Sequence, residues 1–126
     1  MIVLDACVLI AHLEAGHVHA AIAANILDTE EELAIHPLTL AELLVGAVRS
    51  GQENTVRQAL GRIGIIVWHP DDEQPTRLAR LRADTGLKLP DCCVLDTAQV
   101  QGAAVATFDD ALGRAARHLG LAVLGH

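Results

Sequence analysis

Short, wholly apolar runs alternate along the chain with stretches long enough for helices, and this alternation limits the possible folds more than any other feature. The runs are Ile2–Leu4, Leu33–Ile35, Ile65–Trp68, Ala103–Ala106 and Ala122–Leu124, each with the length of a buried strand. Between them the pattern predicts helices over Cys7–Glu14, His17–Asp28, Leu40–Arg49, Thr55–Arg62, Glu73–Asp84, Asp91–Gln101 and Asp109–His118. Strands that are apolar throughout, and not only at every second residue, belong in a parallel sheet covered on both faces. The expected class is therefore α/β, a three-layer α/β/α sandwich. Punctuation agrees: Gly16, Gly51, Gly64, Gly86 and Gly120 fall at predicted helix ends, and Pro37 and Pro90 fall near predicted helix starts.

The length of 126 residues suits one domain, 1–126, with one core and no linker, repeat or low-complexity segment. Trp68 and Phe108 are its only Trp, Tyr or Phe residues, so Ala, Leu, Val and Ile must do the packing. The longest uncharged stretches, Ala15–Leu27 and Thr97–Phe108, are too short and too polar for a membrane span. Met1–Asp5 lacks a basic signal-peptide start and reaches a carboxylate early, so a cytoplasmic protein is expected. Cys7, Cys92 and Cys93 have no metal-ligand spacing and are an odd number for pairing, which suits small buried thiols in a reducing compartment.

A net charge of −7 argues against a general polyanion binder. The objection weakens if four acids face bound cations, and eight of the nine bases are arginines, the better phosphate ligands. Arg77, Arg80 and Arg82 cluster in one segment, where a solvated helix face and an RNA-contacting ridge both fit.

Ligands of open parallel sheets bind beyond the carboxyl ends of strands, near the reversal of strand order. Asp5 closes the first apolar run, and Asp109 follows the fourth after Thr107 and Phe108. Glu42 lies in the first turns of the helix after the second run, and Asp91 follows Pro90 at the start of the helix leading to the fourth. Taken singly, Asp91 and Asp109 are natural helix caps, and Glu42 could face water on an amphipathic helix. Asp5, between a buried strand and Cys7-Val8-Leu9-Ile10, is harder to explain as a solvated surface acid. Carboxylates converging in one cleft raise one another's pKa unless a cation neutralises them. Oxygen-only ligands select Mg²⁺ or Mn²⁺ over Zn²⁺.

Four stretches, in this order and spacing, resemble the PIN-domain ribonucleases, specifically the VapC-type toxins of bacterial toxin–antitoxin pairs. They are Ile2–Ile10 around Asp5, Thr39–Gly46 around Glu42, Leu87–Cys93 around Asp91, and Ala106–Asp110 around Asp109. The resemblance spans nearly the whole chain and implies a five-stranded sheet of order 3-2-1-4-5, with Asp5 and Asp109 side by side at the reversal. It further implies that Glu42 and Asp91 complete an acidic pocket and that Thr107 helps orient it. One or two Mg²⁺ or Mn²⁺ ions would activate water to cleave an RNA phosphodiester. A VapB-type antitoxin covering the acidic rim and a homodimer of the toxin are the partners it implies.

Departures from the family pattern set further expectations. Cys7 stands where the family often has Asn, Ser or Thr, which weakens a supporting role beside Asp5. Asp110 directly follows Asp109, and the spacing from Thr107 favours Asp109 as the ligand. Asp96 lies five residues after Asp91, turned away round the helix, with an arginine as its natural partner. His17 and His19 on a helix would not share a face, and His12, His36, His69, His118 and His126 read as surface residues. A phosphoacceptor receiver domain is a poor alternative, since no Asp ends the third run and no Lys ends the fifth. A PIN-like RNA- or protein-binding module with weak catalysis, and an RNA-processing nuclease outside any toxin pair, are the remaining alternatives.

Overall fold

A computed structural model describes all 126 residues. The elements run β1 (Ile2–Leu4), α1 (Ala6–Leu13), α2 (Ala20–Leu27), β2 (Leu33–Ile35), α3 (Pro37–Arg49), α4 (Glu53–Ile63), β3 (Ile65–Val67), α5 (Gln74–Thr85), α6 (Leu89–Gln101), β4 (Ala104–Ala106), α7 (Asp110–His118) and β5 (Val123–Leu124). The sheet has the order β3-β2-β1-β4-β5, with every neighbouring pair parallel. This is the PIN-like topology expected from the resemblance.

Adjacent residues of β1 divide between two cores, which is why its sequence does not alternate. Ile2 and Leu4 pack with Val8, Leu9, Leu33, Ile35 and Leu43 on the side of α1 to α4. Val3 packs with Leu81, Cys92, Leu95, Val105 and Leu112 on the side of α5 to α7. Each strand is short, and β1 and β2 are buried throughout while the edge strands β3 and β5 leave Ile66 and Leu124 exposed, so apolar burial at the centre rather than strand length holds the sheet. No helix is long and apolar enough to cross a membrane.

Helix starts differ from expectation by one to three residues, and the two largest shifts have a visible cause. Helix α3 begins at Pro37 and not Leu40, because His36 accepts a hydrogen bond from the Leu38 N–H through Nδ1 and Pro37 occupies the first turn, where no N–H is needed. His36 is buried, contrary to the surface position expected of it. Helix α2 begins only at Ala20, since the His19 N–H donates to Nδ1 of His17 and folds residues 17–19 into a turn. At Gly64 and Gly86, helices α4 and α5 end in the left-handed conformation that a side chain would disfavour.

Candidate active site

The topological reversal lies between β1 and β4, where Leu4 is paired with Ala106. The next residue on each strand, Asp5 and Thr107, therefore emerges on the same rim, and the Asp5 N–H donates to the Ala106 carbonyl at 2.9 Å. Asp5 caps α1 by accepting from the Ala6 N–H through Oδ1 at 2.8 Å. Asp109 caps α7 by accepting from the Leu112 N–H through Oδ1 at 2.8 Å. The fully buried Thr107 hydroxyl joins the two acids: Oγ1 donates to Asp5 Oδ2 at 2.8 Å and accepts from the Asp109 N–H at 3.0 Å.

Cys7 does more here than a weak hydrogen-bonding group was expected to do. Its thiol donates to Asp5 Oδ2 at 3.2 Å and accepts from the Phe108 N–H at 3.3 Å. Burial and then the Asp5 charge push its pKa up to about 11, so it remains a protonated donor to the carboxylate.

Glu42, on α3, and Asp91, in the first turn of α6, face the same negative field. Glu42 is raised above the usual carboxylate range by desolvation, then by the charges of Asp5 and Asp91. Asp91 is raised by desolvation, then by Asp5 and Asp109, against a downward pull from Lys88. Four acids from distant parts of the sequence thus interact electrostatically at one rim. As their side chains stand, no three acidic, histidine or cysteine groups lie close enough to grasp one ion. The donor chemistry still fits a divalent cation: a carboxylate has about four lone-pair sites, so Asp5 and Asp109 keep ligating capacity beyond their caps. Raised acids beside further carboxylates are the arrangement that a hard cation relieves.

The other sequence candidates fall away from the rim. Asp110 pairs with Arg114 at 2.8 Å and with His126, which leaves Asp109 as the rim acid of the pair. Asp96 is buried against an arginine as expected, and that residue, Arg77, is thereby occupied in structure and not free as a ridge for RNA.

His17 and His19 correct another expectation, for they meet in the turn before α2. Their rings lie 5.7 Å apart, and His19 stacks on Phe108 at 4.6 Å. Together with Cys7, Ile10 and Asp109 they line a hollow of about 330 Å³ beside the acidic rim. The helical reading of residues 17–19 hid this group; the two-residue histidine spacing and the position of Phe108 between Thr107 and Asp109 were its only signals.

Among solved structures, a toxin–antitoxin complex from Klebsiella pneumoniae contains a similar chain. It is 29% identical with a TM-score of 0.74, over 86% of this chain and 87% of that one. FitAcB from Neisseria gonorrhoeae is 22% identical with a TM-score of 0.73, over 98% and 96% of the two chains. VapC20 of Mycobacterium tuberculosis, described as a toxin that cleaves the sarcin-ricin loop, is 15% identical with a TM-score of 0.75, over 91% and 95%. The latter two likenesses are likenesses of fold. No curated protein matches the sequence. The PIN domain profile matches residues 2–118, nearly the full length, and with Asp5, Glu42, Asp91 and Asp109 disposed round one rim of a 3-2-1-4-5 sheet, the chain belongs to the PIN domain family.

Proposed function

We propose that this chain is a Mg²⁺- or Mn²⁺-dependent endoribonuclease acting as the toxin of a toxin–antitoxin pair. The observation that carries the reading is the Thr107 hydroxyl bridging Asp5 and Asp109 at the strand reversal, with Glu42 and Asp91 coupled to them through space. The likeness to the chain in the Klebsiella pneumoniae toxin–antitoxin complex supports the biological setting.

Asp5, Asp91 and Asp109 would hold the ion, with Glu42 reaching it directly or through a water that it orients. The bound ion supplies the positive charge that lowers the pKa of water, polarises the phosphoryl oxygen and stabilises the leaving alkoxide. Thr107 fixes the separation of Asp5 from Asp109, because one hydroxyl is at once donor to the first and acceptor from the second. The helix caps at both acids hold the carboxylates in set rotamers before substrate arrives. A VapB-type antitoxin covering this rim, a homodimer and a cytoplasmic location complete the reading.

The test is to sequence RNA 5′ ends after induced expression of wild type and Asp5→Asn, alongside cleavage by the purified protein with Mn²⁺ or EDTA. Clustered ends seen only with wild type, and cleavage lost in EDTA, are expected. Identical end profiles with no Mn²⁺-dependent nicking would leave a binding module in place of the nuclease. A small upstream reading frame for a DNA-binding protein is expected beside the gene, and an isolated gene would favour an RNA-processing role.

A further inference from the structure

We propose that the hollow lined by Cys7, Ile10, His17, His19, Phe108 and Asp109 binds one unpaired nucleobase of the RNA, next to the phosphate that is cut. The inference rests on the ribonuclease reading and adds to it a base-binding subsite.

Three observations converge on it. The first is the gathering of flat rings. The chain has one Phe, one Trp and no Tyr, yet Phe108, His19 and His17 stand together, with His19 stacked on Phe108 at 4.6 Å and 25° and tilted to His17 at 5.7 Å. Single-stranded RNA is characteristically held by stacking its bases on Phe, Tyr, Trp or His. A base entering the hollow joins a stack that is already assembled.

The second is position. Phe108 lies between Thr107 and Asp109, and the Cys7 thiol contacts Asp5 at 3.2 Å while accepting the Phe108 N–H. The hollow therefore shares residues with the acidic rim, and a nucleotide whose phosphate met that rim would have a neighbouring base within reach of the rings. Its volume of about 330 Å³ is at the small end of the range of roughly 300–1,000 Å³ for ligand pockets.

The third is the chemistry of the wall. Ile10, 40% exposed, supplies an apolar surface, the neutral His19 imidazole carries one donor and one acceptor for a base edge, and His17, whose Nδ1 accepts the His19 N–H, offers its Nε2 donor alone. A metal site at the histidines fits less well, because Nδ1 of His17 is taken by the His19 N–H at 3.0 Å. His19 makes no side-chain cap to α2, so its ring is not needed to start that helix.

The test compares wild type, His19→Ala and His19→Phe on short single-stranded oligonucleotides of randomised sequence with Mn²⁺. For His19→Ala we expect KM to rise about tenfold, the scale of one lost stacking contact. Base preference at one position beside the cut should flatten, while the rate at saturation changes little. His19→Phe should restore KM. An unchanged KM and base profile in His19→Ala overturns the subsite, as does a loss confined to antitoxin affinity, which would give the hollow to a protein partner. Should wild type cut nothing, the ribonuclease reading fails separately. Fluorescence anisotropy with a 2′-O-methyl oligonucleotide then still decides the subsite: about tenfold weaker binding by His19→Ala supports it and equal binding overturns it. Unchanged thermal unfolding of the variants checks that the fold is intact.

Discussion

Asp96, only 1% exposed, accepts two hydrogen bonds from the Arg77 guanidinium, from Nε at 2.7 Å and from Nη2 at 3.1 Å. Gln74 Nε2 donates to the same carboxylate at 3.0 Å, and Gln74 Oε1 meets His36 Nε2 at 2.9 Å. Since His36 Nδ1 accepts from the Leu38 N–H, the neutral Nε2–H tautomer completes the series by donating to Gln74. The series joins the start of α3 to α5 and α6, and so links the helices that carry Glu42 and Asp91. Asp96→Ala should destabilise the fold by about 1–3 kcal/mol, because it leaves the buried Gln74 Nε2 unpaired, while the part-exposed Arg77 keeps its bonds to Asp71. Urea unfolding measures this, and a change within experimental scatter would show that the network contributes no stability.

Thr107 is the residue on which the geometry of Asp5 and Asp109 turns. Thr107→Val keeps the shape of the buried side chain but removes both the donor to Asp5 and the acceptor for the Asp109 N–H. Loss of such a supporting group costs about 10–100-fold in metal affinity or activity. We expect a loss of that size in Mn²⁺-dependent cleavage, with Thr107→Ser close to wild type. Equal activity in Val and Ser variants would exclude a positioning role for the hydroxyl.

Burial of the rim acids, and then their mutual repulsion, sets a pH dependence. Glu42 and Asp91 are raised in the folded protein, chiefly by burial and next by Asp5. An acid with a raised folded pKa holds its proton more tightly when folded. Its stabilising contribution is present below the unfolded pKa, near 4 for Asp and Glu, and is lost as pH rises through the folded value. In EDTA near pH 7, Asp91→Asn should therefore have a higher urea midpoint than wild type, with the difference shrinking toward about pH 4. Millimolar Mn²⁺ should raise the wild-type midpoint and leave that of Asp91→Asn nearly unmoved. A variant that is less stable at neutral pH in EDTA, or equally responsive to Mn²⁺, contradicts the account.

The sheet is legible because its signal is local: each apolar run adjoins helix-length segments, and all five are strands, two with the expected bounds and three shifted by one residue at one end. The strand order was not local information and came with the family resemblance. The acids were legible by their placement at strand ends and first turns, which the structure retains for Asp5, Asp91 and Asp109. What escaped were side-chain choices settled by distant partners. Whether His36 is buried depends on Gln74, and whether His17 and His19 share a side depends on a backbone N–H bonded to an imidazole. Cys7 departs from expectation because a thiol is a weak donor in isolation, while here Asp5 and Phe108 give it both a donor and an acceptor role.

That placement of Cys7 yields a chemical reporter for the site. Burial, then the Asp5 charge, holds the thiol up at about 11. Burial raises Cys92, and burial first and then Cys92 raises Cys93 to about 11. At pH 8 a group with a pKa near 11 is thiolate in only about one molecule in a thousand, and the thiolate is the reactive form. Iodoacetamide should therefore label the native protein slowly and all three cysteines readily in urea. Asp5→Asn removes the charge that disfavours the Cys7 thiolate, so it should accelerate native labelling at Cys7 while Cys92 and Cys93 remain slow. Peptide mass mapping separates the positions, since Cys7 lies far from the other two in sequence. Uniform acceleration at all three would indicate loosening of the fold. No acceleration at Cys7 would mean that Asp5 does not act on the thiol, in conflict with a negative rim able to hold a cation.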